Sequence, residues 1–444
     1  MRIDRLELRN FKIFPTFDLR LHRQFNLLIG ENGAGKTSLL DALAVALGVW
    51  LVEPPDSTLL NSRRGITSSQ IRLESTQTGD RVQFSEAQGG VSIKATGQIE
   101  DRNNLVWEHL IKPGKRRASN VKAKAALDVV AAAYRRADTG DSVLLPVIAY
   151  YGAGRAWLSH NERPKSRSAA SGRARRWAAF YDCLNERIRI ADLGDWFNRE
   201  ALAAVNRQGR YRKGFDVVCK AVLRCIPDAN GIWFDADRSE IVLSIGGQAQ
   251  PFSNLSAGQR MMLSLVADIA IRAVTQNNYL VPENGPVLPA GVLPDVLART
   301  PGVVLIDELD VHLHPSWQRR VATDLKSTFP QIQFVCTSHS PQVIGEVGPE
   351  EVRKLDEPGA GRALDQAYGL DSNTILEEVM GAKSRTSSGT EAIEAVEVAL
   401  EVGDLDAARI KLEALKHLQH GTTRDTVRLE ATINNLEVLT DENN

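Results

Sequence analysis

A glycine-rich octapeptide near the start of the sequence constrains the fold of this chain more than any other feature. GENGAGKT occupies residues 30–37, between the apolar segment FNLLI and the segment SLLDALAVAL, whose apolar residues recur at helical spacing. A strand, a glycine-rich loop and a helix in this order are typical of an α/β domain built on a parallel sheet. We therefore predict an α/β fold with this loop at one edge of the sheet.

The octapeptide matches the phosphate-binding pattern GxxxxGK[ST]. Glycines let backbone N–H groups turn inward around phosphate oxygens, and the first turn of the helix adds the positive end of its dipole. Lys36 would reach the β- and γ-phosphates of a nucleotide, and Thr37 would hold Mg²⁺. ATP and Mg²⁺ are thus the predicted cofactors, and the residues predicted to bind ATP are Asn32, Gly33, Ala34, Gly35, Lys36, Thr37 and Ser38.

A second apolar run ends in two acids. VVLIDE, residues 303–308, predicts a buried strand that carries Asp307 and Glu308 at its end. Asp307 is predicted to bind the metal ion, and Glu308 to activate the attacking water as a general base. Two adjacent carboxylates repel each other, and a bound cation relieves that repulsion.

Three histidines lie close to this acid pair in the sequence. TSHS, residues 337–340, ends the next apolar strand, and we predict that His339 contacts the γ-phosphate, because one predicted helix separates it from the acids. His312 and His314 stand two residues apart in DVHLHP, but no acid or cysteine completes a metal-ligand set with them. We expect these two histidines to lie in a loop rather than in a metal site.

The signature segment, LSAGQ at residues 255–259, precedes a strongly apolar predicted helix. Ser256 is placed to cap this helix, and Gly258 opens the backbone near its start. A helix start of this kind binds anions, so it could close a phosphate site from the side that the glycine-rich loop leaves open. The separation of the two segments in sequence permits this contact within one chain or between two chains.

GENGAGKT, LSAGQ, VVLIDE and TSHS, in this order, resemble the head of an ABC-type ATPase of the RecF/SMC/OLD-like group. The opening segment LELRNFKIF is similar to the first hairpin of that group, and the matching parts cover about residues 1–50 and 250–345. The resemblance implies a P-loop NTPase fold with two lobes, β-rich and helical insertions, and a short helical C-terminal extension.

The resemblance also implies a head-to-tail homodimer, or a higher homo-oligomer, that closes around ATP. In such a dimer Ser256, Gly258 and Gln259 of one head would contact the γ-phosphate held by the other head, and Asp310 would lie at the dimer seam. Ala257 stands where the family has its first signature glycine, which a helical backbone should tolerate. The Q-loop of the family has no clear counterpart, since AYYGAGRAW at residues 149–157 contains no glutamine.

A Pro/Gly-rich loop is predicted at residues 281–302. The placement of the motifs divides the chain into four segments. They are residues 1–50, the first part of the ATPase core with the phosphate loop; residues 51–250, an inserted β-rich and helical lobe with basic loops; residues 251–345, the second part of the core; and residues 346–444, an acidic, mainly helical docking or oligomerisation region.

Charge is distributed unevenly along the chain. Residues 102–213 hold 23 basic and 10 acidic residues, whereas residues 346–444 hold 10 basic and 21 acidic residues. A basic middle region is typical of contact with an anionic partner such as DNA, although the two segments could equally neutralise each other. The residues predicted as nucleic-acid contacts are Arg163, Lys165, Arg167, Arg173, Arg175 and Arg176.

The acidic tail favours a docking role over catalysis. Two helices are predicted to meet at Gly403–Asp404, and a third at about residues 423–438. OLD-family nucleases carry a metal-binding Toprim domain after the ATPase, but the acid pair Asp404 and Asp406 stands at a helix start, where aspartate is an N-cap. We therefore predict no nuclease site in this chain.

YGLDSNTILEEVMGAKSR together with this tail resembles the PtuA-type ATPases of Septu anti-phage systems, including those associated with retrons. The resemblance implies a separate HNH-type nuclease as the partner.

Neither a membrane span nor a disulfide framework is expected. The sequence contains no run of about 18 apolar residues that could cross a bilayer. Its four cysteines are scattered without a CxxC pair, which is typical of a reducing compartment. We predict a cytoplasmic protein.

The leading hypothesis is an ATP-hydrolysing ABC-type ATPase that dimerises around Mg-ATP and regulates a DNA-acting nuclease, in anti-phage defence. One alternative is a RecF-like repair or recombination ATPase that binds DNA directly. Another is a nucleotide-bound scaffold with little turnover.

Overall fold

The computed structural model describes residues 1–55, 59, 62–78, 81–115, 118–119, 121–156, 176–284, 289, 291–357, 359–383 and 385–441 of the 444-residue chain. The chain forms two compact units, Met1–Asp371 and Ser372–Asn444.

The first unit contains all the strands of the described residues. They are β1 (Arg2–Phe11), β2 (Phe14–Arg20), β3 (Phe25–Ile29), β4 (Leu73–Thr78), β5 (Arg81–Glu86), β6 (Val91–Ile99), β7 (Arg102–Ile111), β8 (Val147–Tyr151), β9 (Ala229–Asp235), β10 (Glu240–Ile245), β11 (Gln248–Pro251), β12 (Gly302–Ile306), β13 (Ile332–Thr337), β14 (Val352–Glu357) and β15 (Ala360–Ala363).

Helices lie in both units. The first unit has α1 (Lys36–Leu47), α2 (Lys124–Asp138), α3 (Ile190–Val205), α4 (Lys213–Cys225), α5 (Ala257–Gln276), α6 (Asp295–Arg299), α7 (Pro315–Thr328) and α8 (Pro341–Ile344), and the second has α9 (Ser372–Thr374), α10 (Ser387–Glu401), α11 (Leu405–Leu418) and α12 (Arg424–Asp441).

A ten-stranded sheet organises the first unit, in the order β7-β6-β1-β2-β15-β14-β3-β13-β12-β8. The half from β14 to β8 is parallel throughout. Every residue of β3, β12 and β13 is buried, which explains why these strands read as continuous apolar runs in the sequence. Because β13 lies between β3 and β12, the carboxyl ends of these three strands meet at one edge.

In the other half of the sheet, β7, β6, β1 and β2 are antiparallel neighbours, whereas β15 pairs in parallel with β2 and antiparallel with β14. Strand β1 pairs with β2 on one side and with β6 on the other, and β6 pairs with β7. Residues of β6 alternate between buried and half-buried, as expected for a sheet that covers a core on one side. A three-stranded sheet, β11-β10-β9, and the hairpin β4–β5 stand apart from the main sheet.

The core of the first unit lies around α1, whose residues from Leu39 to Leu47 are all buried. An aromatic cluster continues it: the Trp50 ring lies 6.1 Å from the Phe180 ring and 5.6 Å from the Tyr134 ring, centroid to centroid. The Tyr134 hydroxyl donates to the Trp50 carbonyl oxygen at 2.5 Å. Truncating a buried aromatic residue of this kind costs about 3–5 kcal/mol of stability, so the cluster contributes substantially to the packing of α2 against the segment that follows α1.

The second unit is a helical hairpin with a third helix. Helices α10, α11 and α12 share a small core, which includes Ile393, Val396, Leu412, Leu415 and Ile433. The Asp404 carboxylate caps α11 by accepting a hydrogen bond from the Ala407 N–H at 2.9 Å, which confirms its predicted N-cap role.

The sequence predicts most of these elements. The α/β fold, the opening hairpin, the strand–loop–helix around GENGAGKT and the three tail helices are confirmed. The loop predicted at residues 281–302 is wrong in one part, because α6 occupies Asp295–Arg299. Among the described residues, no helix has the length and apolar character needed to cross a membrane.

Candidate functional site

The phosphate loop (residues 30–37) leaves the carboxyl end of β3 and enters α1. Gly33 and Gly35 adopt left-handed backbone angles, φ +87° and +92°, which residues with a side chain rarely adopt. A side chain on Gly35 would also overlap the Phe14 ring. The glycines of the motif are therefore needed to form the turn and to bring it close to β2.

Lys36 lies over this loop. Its Nζ donates to the carbonyl oxygens of Gly30 and Glu31, at 2.8 and 2.9 Å. Burial lowers the pKa of Lys36, and the nearby carboxylates of Asp307 and Glu308 oppose that shift. The ammonium group is thus held at the loop and close to the predicted metal ligand.

Asp307 follows the last residue of β12 and accepts hydrogen bonds with both carboxylate oxygens. Its Oδ2 accepts from the Thr37 hydroxyl at 2.9 Å, and its Oδ1 accepts from the Thr337 hydroxyl at 2.6 Å. Its backbone N–H donates to the Tyr151 carbonyl oxygen at 2.8 Å. The buried carboxylate therefore joins α1 to β13, and the Asp307 backbone joins β8. Thr337 begins the TSHS motif, but the sequence did not indicate its contact with Asp307.

Glu308 is exposed and has a left-handed backbone angle, φ +51°. This region is uncommon for residues other than glycine and stores strain where the surrounding structure holds it. Two contacts hold it here: the Glu308 N–H donates to the Thr337 hydroxyl at 2.7 Å, and the Leu309 N–H donates to the Thr337 carbonyl oxygen at 2.8 Å. The predicted general base thus stands on a turn fixed by β13.

The donors present suit a magnesium ion. The Thr37 hydroxyl and the Asp307 carboxylate lie together, and hard oxygen ligands are what Mg²⁺ prefers. No cluster of three or more His, Cys, Asp or Glu side chains able to hold a metal occurs in the described residues. Mg²⁺ commonly binds through one or two protein ligands, with water and phosphate oxygens completing its shell, so the set fits a metal that arrives with a nucleotide.

His314 lies in the loop before α7, as the sequence analysis expected for the pair His312 and His314. Its Nδ1 accepts from the Ser316 N–H at 3.3 Å and caps α7.

The acid loop (residues 308–313) is tied to the turn after β13. The Ser338 hydroxyl donates to Asp310 Oδ1 at 2.5 Å. Gln318 in α7 accepts from the Ser340 hydroxyl at 2.7 Å, and its amide nitrogen donates to the Leu313 carbonyl oxygen at 2.9 Å. His339 lies exposed between the two serines. Nothing in the sequence distinguishes Gln318 from an ordinary polar residue of an amphipathic helix.

The signature segment begins α5 with a reciprocal cap. The Ser256 hydroxyl accepts from the Gln259 N–H at 3.2 Å, and the Gln259 side chain accepts from the Ser256 N–H at 2.8 Å. Gly258 lies under the acid loop, and a Cβ at this position would approach the His312 carbonyl oxygen to 2.5 Å. Gly258 is therefore required by packing within its own chain, a role that the motif alone did not indicate.

A buried polar cluster links α5 to the sheet beside the acid loop. The Tyr151 hydroxyl donates to Asp268 at 2.7 Å, and Arg272 donates to the same carboxylate oxygen at 2.7 Å. Tyr151 also accepts the Asp307 N–H through its carbonyl oxygen. These residues connect the helix of the signature segment to the strand end that carries Asp307.

The predicted nucleic-acid contacts fall mainly outside the described residues, namely Arg163, Lys165, Arg167, Arg173 and Arg175. Arg176 is described, and it donates to the carbonyl oxygens of Gln276 and Val143, at 2.9 Å each. Arg176 therefore has a structural role, because its guanidinium group satisfies two backbone carbonyl oxygens.

Two models of ATPase-type domains match the chain. An AAA domain model matches residues 5–200, and an AAA domain model described as a putative AbiEii toxin of a type IV toxin–antitoxin system matches residues 233–345. The first includes the phosphate loop, and the second includes the signature segment, Asp307, Glu308 and His339.

Several characterised proteins are similar in part. The retron Vc95 probable ATPase of Vibrio cholerae is 39% identical over 134 residues, which is 30% of this chain and 22% of that protein. The Septu protein PtuA of Bacillus mycoides is 25% identical over 345 residues, which is 76% of this chain and 38% of that protein. The chain thus spans well under half of either relative. A solved SMC head bound to the C-terminal winged-helix domain of ScpA aligns with 86% of this chain and 100% of its own, at 14% identity and a TM-score of 0.48.

Proposed function

We propose that the chain is an ABC-type ATPase of the RecF/SMC/OLD-like group, which binds Mg-ATP, hydrolyses it between two copies of itself, and so regulates a partner nuclease. The observation that supports hydrolysis is the junction of Thr37, Asp307 and Thr337, where the GENGAGKT loop, the Asp307 carboxylate and the neighbouring Glu308 meet at one sheet edge. ATP and Mg²⁺ are the proposed cofactors.

Each residue of this edge has a distinct task in the proposed reaction. The N–H groups of residues 32–38 and the Lys36 ammonium group bind the phosphates. Thr37 and Asp307 would hold Mg²⁺, which supplies neutralising charge when bound. Glu308 accepts a proton from the attacking water, and His339, exposed on the next turn, contacts the γ-phosphate.

The signature segment supports action between two chains. Ser256 is exposed, and in the described residues no hydrogen bond joins Ser256, Gly258 or Gln259 to the phosphate loop of the same chain. The start of α5 is therefore open to phosphates held by a second copy. We propose a head-to-tail homodimer, with Asp310 at its seam, as the hydrolytic form.

The defence role and the partner rest on the relatives. The similar proteins include a retron probable ATPase and a Septu PtuA protein. We propose that this chain acts in anti-phage defence with an HNH-type nuclease, and that residues 346–444 dock the partner or further copies. The four cysteines are free, which agrees with a reducing cytoplasm.

Glu308→Gln tests the proposed chemistry. The substitution keeps the size of the side chain and removes its basicity, so we expect hydrolysis to slow by about 10²- to 10⁴-fold while ATP binding persists. Single-turnover hydrolysis and nucleotide retention on gel filtration measure the two effects. Glu391→Gln, an exposed glutamate of α10, is the matched control. A wild-type rate in the Glu308 variant would refute the general-base role.

Direct DNA binding is the second candidate function, and the basic residues 102–213 favour it. DNA that stimulates ATP hydrolysis by the purified chain, with a steep dependence on salt, would support this function. A chain that retains intact ATP and releases no phosphate would instead be the nucleotide-bound scaffold.

A further inference from the structure

Gln318 forms hydrogen bonds both to the acid loop and to the turn after β13. It lies in the first turns of α7 and uses both ends of its side-chain amide. Its Nε2 donates to the carbonyl oxygens of Leu313 and Asp310, at 2.9 and 3.3 Å, and its Oε1 accepts from the Ser340 hydroxyl at 2.7 Å. One side chain thus joins the loop that carries Glu308 to the turn that carries His339.

The loop that Gln318 holds has an unusual backbone. Glu308 and His312 both have left-handed angles, φ +51° and +61°, although neither is glycine. Such backbone angles persist only where several contacts with the surrounding structure hold them. Thr337 supplies contacts at the Glu308 end through its hydroxyl and carbonyl oxygens, and Gln318 supplies contacts at the Leu313 end.

The same loop also sets the start of α5. The His312 carbonyl oxygen occupies the space that a side chain on Gly258 would need. A shift of the acid loop would therefore press on the signature segment or leave a gap above it. Three parts of the site depend on the position of one loop: Glu308, the turn of His339 and the start of α5.

We propose that Gln318 is a positioning residue for ATP hydrolysis, which acts by holding the acid loop in register with the His339 turn and with the signature segment. This inference rests on the proposed function, because the loop matters to catalysis only if Glu308 acts there. Among the described residues, the side-chain hydrogen bonds of Gln318 reach neither the phosphate loop nor Asp307, so its effect on the reaction is indirect.

Gln318→Met tests the inference, because methionine keeps the length of the side chain and removes all three hydrogen bonds. We expect kcat to fall about 10- to 100-fold, as for a misplacement of the order of an ångström, with little change in the Kd for ATP. Hydrogen exchange should accelerate at the amides of residues 309–313 and 258–260. Arg319→Leu is the matched control: Arg319 is the next residue of α7, and its guanidinium group pairs with Glu346 on the surface.

A double-mutant cycle separates positioning from general stability. Ser340→Ala removes the contact with Gln318 Oε1 and also the bonds of the Ser340 hydroxyl to Gln342 and to the Val343 N–H. The cycle isolates the contact that the two residues share, so the effects of the two substitutions on kcat should be less than additive. Gln318→Met with wild-type kcat, or with a lowered melting temperature as its only effect, would overturn the inference. Absence of hydrolysis in the wild-type chain would instead refute the proposed function, so the two failures are distinguishable.

Discussion

At the scale of single residues, the charge state of Lys36 is the feature with the clearest consequence. Burial lowers its pKa, so the unfolded chain binds more protons than the folded chain between the lowered pKa and the ordinary pKa of lysine, 10.5. Stability without nucleotide should therefore rise with pH across that interval. Bound phosphates act in the opposite direction, because their negative charge favours the ammonium form and raises the pKa.

Nucleotide binding at alkaline pH should consequently take up protons. Titration calorimetry at about pH 9, in two buffers of different ionisation enthalpy, measures the uptake directly. The Kd for ATP should also rise as the pH increases, since neutral Lys36 binds phosphate less well. Equal binding enthalpies in the two buffers would mean that Lys36 does not change its charge on binding. Thr37→Val, which retains Lys36, is the control for a general loss of affinity.

At the scale of elements, the sequence predicted the parts of the site but not how they contact one another. Glycine spacing and apolar runs indicated the phosphate loop, the strand before Asp307 and the helix after the signature segment. No local pattern could indicate that Thr337 would share Asp307 with Thr37, because these contacts join residues 30 and 270 positions apart. The role of Gly258 was hidden for the same reason, since the carbonyl group above it belongs to His312.

Gly258→Ala and Ala257→Gly should have unequal effects, although both exchange the same two residues at the start of α5. At position 258 a Cβ would meet the His312 carbonyl oxygen, so the acid loop must move, at a cost of about 1–3 kcal/mol. At position 257 the exchange restores the glycine of the family and should cost less than about 1 kcal/mol. Chemical denaturation and ATP hydrolysis measure both effects. Equal destabilisation by the two variants would show that the close approach is unimportant.

At the scale of the whole molecule, the proposed dimer requires each chain to provide two half-sites at different places in its sequence. The phosphate loop and Glu308 form one half, and the signature segment forms the other, opened by a capped helix with exposed Ser256. The fold was predictable because long apolar strands and a strict motif specify it. The head-to-tail arrangement between copies is predicted from the family resemblance alone, since exposed polar residues follow no periodic pattern.

Ser256→Asp and Ser256→Arg test the second half-site. Aspartate caps helices as well as serine does, so α5 should keep its start, whereas arginine removes a cap worth about 1 kcal/mol. Both variants should bind ATP and lose hydrolysis, because neither tolerates a γ-phosphate from a second chain: aspartate repels it and arginine blocks it. Full hydrolysis in the Ser256→Asp variant would show that Ser256 acts only as a helix cap.

Mixing the Ser256→Arg and Glu308→Gln variants should restore one working site per heterodimer. That site combines Glu308 of the first variant with Ser256 of the second variant.

The central position of β13 has a consequence for synthesis of the protein. Strands β3 and β12 become neighbours of a completed site only when β13 inserts between them and brings Thr337 to Asp307. A nascent chain that has emerged from the ribosome as far as β12 already displays GENGAGKT and VVLIDE, yet it lacks the strand that joins them. In the proposed ATPase, nucleotide should therefore bind the complete site only after β13 has been synthesised, and ATP binding would then report that the sheet edge has folded.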